Sequence, residues 1–213
     1  RDRAYGASVR NRYNIGRVRA HAEIMIEEHD LENIIPIDFA YCFSYFDKLK
    51  SEFLKHDSNI VNLSMSFIGK KETCENGDIY KTIKNSPEFL WVNASGNEGQ
   101  IFQRKDLYYC PQSTDLENIL IVGSSSNSSS LGEEWVDLIY PNTNTTSEAA
   151  LLTSNLLRVL KEVAIMDLDQ KDLKKIIIMS ADITTKAVKA KGVINPNKAC
   201  LLYTSDAADD SLR

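Results

Sequence analysis

Residues 118–123 read NILIVG, four consecutive apolar side chains between an asparagine and a glycine, followed at once by the serine-rich 124–130. A run this short, rich in β-branched residues and bounded by turn formers, reads as a strand buried on both faces. Outward from it, 89–94 (FLWVNA) and 60–65 (IVNLSM) are further strands, and 22–28 (AEIMIEE) is a shorter run with β-compatible alternation. Helical patterns fall between them. Over 38–56, Phe39, Cys42, Phe43, Phe46, Leu49 and Phe53 recur at spacings of three and four, the mark of one apolar helical face. Residues 79–85 end a short helix, and 147–161 and 168–179 close the chain as two more. Strands alternating with helices predict an α/β fold, a three-layer α/β/α sandwich with a mostly parallel central sheet.

The chain has 213 residues, 43% hydrophobic and 26% charged, the balance of a globule with a substantial core. Its 25 basic and 30 acidic residues give a net charge of −5, so no basic footprint for nucleic acid is present. No apolar run approaches the roughly 18 residues that a membrane span needs. Arg1, Arg3, Arg10, Arg12, Arg17 and Arg19 crowd the first twenty residues without an apolar segment, so no secretory signal is expected there. Localisation stays open between export and an intracellular role. The opening Arg1-Asp2-Arg3 and the tail 200–213 are expected to derive from sequencing adapters, which leaves 4–199 as one partial domain. Within it Cys42, Cys74 and Cys110 are odd in number and widely spaced, which predicts buried or free thiols rather than a disulfide framework or a zinc site.

Three stretches carry candidate chemistry. In 94–99 (ASGNEG) a strand ends in a glycine-flanked turn with the Asn97 amide at its tip, able to donate to an oxyanion or simply to build an Asx turn. In 145–150 (TTSEAA) Ser147 stands at a helix start, where backbone N–H groups and the helix dipole favour a developing negative charge. The rival reading makes Ser147 the helix cap. In 60–66 (IVNLSMS) a strand end turns small and polar, as an edge that pairs with an extended peptide would.

In this order and at these separations the three stretches resemble the subtilisin-like serine peptidases. Residues 60–65 match that family's strand of VINMSL type, 93–99 its AAAGNEG turn and 145–150 its GTSMAAP helix start, while 121–123, 136–141 and 191–195 match further segments. The resemblance implies serine endopeptidase activity on a peptide or protein substrate, with Ser147 as nucleophile and Asn97 as oxyanion donor. It also implies that Ser64, Met65 and Ser66 line one wall of the specificity pocket and Ala94, Ser95 and Gly96 the other. The serine motif departs from the family: it lacks the glycine before Thr146, where Thr145 stands, and Leu151 stands in the place of a proline.

The larger departure is the base. Tyr5 occupies the position expected for the catalytic histidine, and a phenol with pKa near 10 stays protonated at neutral pH. His21, His29 and His56 fall on a strand start, its exit and a helix end, and are read as structural or solvated. The family's aspartate would precede residue 1. The expectation is therefore a fragment of such a peptidase that does not turn over peptides, or a pseudoprotease whose cleft binds them. An unrelated doubly wound domain binding an anion at a helix N-terminus is disfavoured, because no GxGxxG or GKS/T motif occurs. No cofactor is assigned. Glu98, Asp115 and Glu117 could add oxygen ligands for a structural calcium, but no DxDxDG loop is present.

Overall fold

The computed structural model describes residues 46–55, 59–99 and 108–204. Strands β1 (Ile60–Leu63), β3 (Leu90–Ala94), β5 (Ile119–Ser124), β6 (Leu138–Tyr140), β8 (Gly192–Val193) and β7 (Asp182–Ile183) form one sheet in that spatial order. All neighbours are parallel except β7 with β8. Strand side chains alternate between two cores. Leu90, Val92, Leu120 and Val122 join Leu156, Leu157, Leu160, Leu173, Ile176 and Ile177 on one face, from helices α4 (Thr146–Val163) and α5 (Gln170–Met179). Phe89, Trp91, Ile119 and Ile121 join Phe46, Cys74, Ile79 and Ile83 on the other, from α1 (Phe46–Lys55), α2 (Lys71–Asn76) and α3 (Asp78–Lys84). Helices on both faces of a mostly parallel sheet make the three layers that the sequence predicts.

Strand β3 is anchored by aromatic packing. Trp91 is fully buried, and the Phe46 ring lies 5.0 Å from the Trp91 ring and 5.3 Å from the Phe89 ring. Each such pair contributes about 0.5–1.5 kcal/mol beyond its buried area. Helix α5 starts with a reciprocal cap, in which Asp169 accepts from the N–H of Lys171 and Asp172 while Asp172 accepts from that of Asp169.

A smaller antiparallel pair, β2 (Phe67–Gly69) with β4 (Tyr108–Cys110), flanks the carboxyl end of β1. Here the structure corrects the cysteine expectation. Cys74 of α2 and Cys110 of β4 form a disulfide, with Cα atoms 5.7 Å apart and both residues fully buried. Their sequence separation of 36 carries no pairing signal, and only packing of α2 against β4 brings the sulfurs together. Helix α6 (Pro196–Thr204) runs without a break past residue 199, with Cys200 and Leu202 packed on the α4–α5 core. Tyr5, His21, His29, Cys42, His56 and the strand expected at 22–28 lie outside the described residues. Only the part of the 38–56 helix that falls in α1 can be compared, and it is helical as expected.

Candidate active site

Parallel strands place their exits on one edge of the sheet, which is where ligands bind in open α/β folds. The exits of β1, β3 and β5 lead into residues 64–66, 95–99 and 125–130, and the start of α4 meets the same edge through Thr146. The turn after β3 is tightly held. The Ser95 N–H donates to the Val122 carbonyl at 3.0 Å, and Ser95 Oγ donates to the Ser130 carbonyl at 2.6 Å. Ser130 returns the contact, its N–H donating to the Gly96 carbonyl at 2.8 Å and its Oγ to Glu98 Oε2 at 2.8 Å. Gly96 has φ 114°, a backbone conformation that other residues rarely adopt, so this turn needs glycine.

Asn97 is joined to the helix start by Thr146. The Thr146 N–H donates to Asn97 Oδ1 at 2.9 Å, and the buried Thr146 hydroxyl donates to the same oxygen at 3.2 Å while accepting from the Gly96 N–H at 3.2 Å. A backbone N–H can only donate, so it fixes which end of the carboxamide faces the helix. The Nδ2 group is thereby turned away from Thr146 and has no partner among the described residues.

The cap of α4 is Thr145, whose hydroxyl accepts from the Glu148 N–H at 3.2 Å, and Glu148 Oε2 accepts from the Asn144 N–H at 2.8 Å. Ser147 therefore sits in the first turn rather than at the cap. It is half-buried, and its hydroxyl makes no hydrogen bond among the described residues. The capping role that rivals a chemical one for this serine belongs to its neighbour.

The two segments expected to line a pocket also meet. Asn93 Nδ2 donates to the carbonyls of Leu63 and Met65 at 2.6 and 2.9 Å, which ties β3 to the exit of β1 that carries Ser64, Met65 and Ser66. Gln112 Nε2 donates to the Ala94 carbonyl at 2.8 Å and the Met65 carbonyl at 3.2 Å. Thr146, Asn93 and Gln112 were not singled out from the sequence. Thr146 had a signal in its place between the cap and Ser147, whereas Gln112 had none.

Tyr109 stacks on Trp135 with ring centroids 5.6 Å apart, and burial, helped by the Glu98 charge, pushes its phenol up to about 12. It stays neutral at physiological pH. A cavity of about 240 Å³ lies at the opposite, amino end of β5 and β6, lined by Asp115, Glu134, Asp137, Lys174 and Lys189 among others, and includes neither Asn97 nor Ser147. There Asp137 Oδ2 accepts from the Ile121 N–H at 2.8 Å. Burial raises the Asp137 carboxyl and lowers the Lys174 ammonium, each opposed by the charge of the other. Of the calcium candidates, Glu98 accepts from Ser130 and exposed Glu117 lies 3.8 Å from Lys171. Among the described residues no three acidic, His or Cys side chains are grouped to hold a metal, and no helix is long and apolar enough to cross a membrane.

No protein-family profile matches the chain, and no curated protein matches it by sequence. Solved structures do match. The prenylagaramide maturation protease PagA aligns with a TM-score of 0.57 at 18% identity, covering 75% of this chain and 66% of that one. MycP1 from Mycobacterium smegmatis aligns with a TM-score of 0.56 at 20% identity, covering 78% and 56%. The epidermin leader peptide processing serine protease from Staphylococcus aureus aligns with a TM-score of 0.55 at 15% identity, covering 74% and 54%. The fold is thus that of these proteases, and the chain spans roughly half to two thirds of their length.

Proposed function

We propose that this chain is part of a subtilisin-like serine endopeptidase domain, with Ser147 as nucleophile and the Asn97 amide as oxyanion donor. The observation that supports the reading is the bond from the Thr146 N–H to Asn97 Oδ1, which commits the amide oxygen to the helix start and leaves Nδ2 without a partner among the described residues, while Ser147, next in sequence to Thr146, caps nothing. The alkoxide of Ser147 would attack a peptide carbonyl, the carbonyl oxygen would become an oxyanion, and Nδ2 would donate to it. One such side-chain donor contributes about 10²–10³ in kcat. The peptide would lie between residues 64–66 and 94–96, held on both sides by main chain. The buried Cys74–Cys110 disulfide supports action in an oxidising compartment.

Attack also requires a base for the Ser147 proton, and Tyr5 stands at the position expected for it. In a Ser–His–Asp triad, loss of the histidine alone lowers kcat by about 10⁶. The chain as written is therefore a peptide binder that does not turn over substrate, and Tyr5 is the observation that favours the pseudoprotease reading. A fluorophosphonate probe applied to the full-length protein tests both. Labelling that disappears in Ser147→Ala supports the nucleophile. Absence of Ser147-dependent labelling, in the natural chain and in Tyr5→His alike, removes the peptidase reading.

A further inference from the structure

The sequence contains four Asn-x-Ser/Thr triplets, beginning at Asn62, Asn93, Asn127 and Asn144. Such a triplet can carry an N-linked glycan only where the asparagine ends on the surface of the folded chain, because the sugar is bulky and hydrated. The fold divides the four into two pairs. Asn93 is fully buried in β3, and its Nδ2 donates to the Leu63 and Met65 carbonyls, so a sugar in place of either hydrogen would break a buried hydrogen bond. Asn62 lies in β1, with its Oδ1 buried and its Nδ2 3.4 Å from Ser64 Oγ. Asn127 and Asn144 are exposed, in the segments that follow β5 and β6, and neither side chain makes a hydrogen bond among the described residues. Those two segments are joined to each other: the Thr143 N–H donates to Ser125 Oγ at 3.1 Å, and the Ser125 hydroxyl donates to the Thr143 carbonyl at 3.3 Å.

We propose that Asn127 and Asn144 carry N-linked oligosaccharides and that Asn62 and Asn93 do not. The buried Cys74–Cys110 disulfide is an independent sign of the oxidising secretory compartment in which such transfer occurs. In the transfer, Nδ2 bonds to the anomeric carbon of the first sugar, that carbon's bond to the diphosphate of a lipid-linked donor breaks, the lipid diphosphate leaves and the amide gives up one proton. The hydroxyls of the two triplets set its timing. Ser129 Oγ accepts from the Ser124 N–H, and Thr146 Oγ is held between Asn97 and Gly96, so both are buried and spoken for in the folded chain. The transferase needs that hydroxyl, so the sugar is added before folding, and folding then leaves the two asparagines outside. The Gly99 N–H donates to the Ser128 carbonyl at 2.8 Å, which seats the Asn127 segment against the 95–99 turn, and Asn144 immediately precedes the α4 cap. The glycans thus stand on the carboxyl edge of the sheet, on its β5–β6 side, and leave the β1 side open.

The test is peptide mass spectrometry of the full-length protein purified from the cells that make it, after a peptide-N-glycosidase has removed N-glycans in heavy-oxygen water. That treatment turns each occupied asparagine into labelled aspartate, and a digest without the enzyme corrects for spontaneous deamidation. Label is expected at Asn127 and Asn144, and unmodified asparagine at Asn62 and Asn93. Asn127→Gln and Asn144→Gln should each remove one step of gel mobility, and the double variant both. Label at neither Asn127 nor Asn144 overturns the proposal, and label at only one of them overturns it for the other. Label at Asn93 in the folded protein overturns the burial argument behind it. None of these readouts needs peptidase activity, so the inference stands or falls separately from the role proposed for Ser147.

Discussion

Removing the Cys74–Cys110 disulfide should cost the chain about 4 kcal/mol of stability. The bond closes a loop of 36 residues. Cross-linking a loop of that length removes about 13 cal/mol/K from the entropy of the unfolded chain, about 4 kcal/mol at 25 °C. The Cα separation of 5.7 Å is ordinary for a disulfide, and both residues are fully buried, so alanine at each position leaves only a small void. The comparison is Cys74→Ala/Cys110→Ala against the parent, both in a Cys200→Ala background to prevent thiol exchange, followed by urea unfolding. With a slope near 2 kcal/mol/M, typical of a small domain, the midpoint should fall by about 2 M. A midpoint change below about 0.5 M, or full reduction of the folded protein by a mild thiol without unfolding, would show that the two cysteines do not brace β4 as the structure has them.

Further outcomes follow from the same site. Thr145→Ala should lower unfolding stability by about 1 kcal/mol through loss of the α4 cap, while Ser147→Ala should leave it within about 0.5 kcal/mol, since that hydroxyl holds nothing; urea titration of both separates a structural from a chemical serine. Asn97→Asp keeps an oxygen for the Thr146 N–H but removes both donors, so in a Tyr5→His chain it should cut hydrolysis of a peptide ester by about 10²–10³ with little change in melting temperature. In the full-length protein Tyr5→His should raise the rate of ester hydrolysis by at least about 10², the difference between losing a triad's histidine and losing its aspartate. Burial raises the Asp137 carboxyl above its unfolded value near 4, so ionising it costs stability as pH rises from that value through the folded one. Asp137→Asn does not titrate and should lack this decline, so the stability difference between parent and variant should move in the variant's favour as urea titrations step up from pH 4 to 7.

Much of the fold was legible because its main signals are local. Four consecutive apolar residues at 119–122 could be read as a strand buried on both sides, and the structure buries all six residues of β5. The regular spacing in 147–161 likewise marks α4, whose bounds differ by a residue or two. What stayed hidden depends on neighbours distant in sequence. Helix α2 has a polar sequence, KETCEN, with one buried side chain, Cys74, and that residue owes its burial to β4. Strands β2 and β4 have three residues each, too short for alternation to register, and exist by pairing with each other. The serine stretch at 124–130 reads by composition as a surface loop, yet Ser129 and Ser130 are buried, Ser130 where it holds the turn at 95–99 and Ser129 where its hydroxyl accepts from the Ser124 N–H at the end of β5.

The same distinction governs the site. Asn97 and Ser147 were legible as residues of the right type at strand and helix ends, but a type does not say which amide face points where. That is decided by Thr146, 49 positions away from Asn97, whose N–H selects the oxygen and so presents the nitrogen. Gln112 is held in a parallel way, with its nitrogen committed to two carbonyls and its oxygen left over. In both cases backbone groups consume one end of a carboxamide and leave the other unpaired, a nitrogen in Asn97 and an oxygen in Gln112, and neither outcome can be read from residue type because the groups that decide it lie far away in sequence.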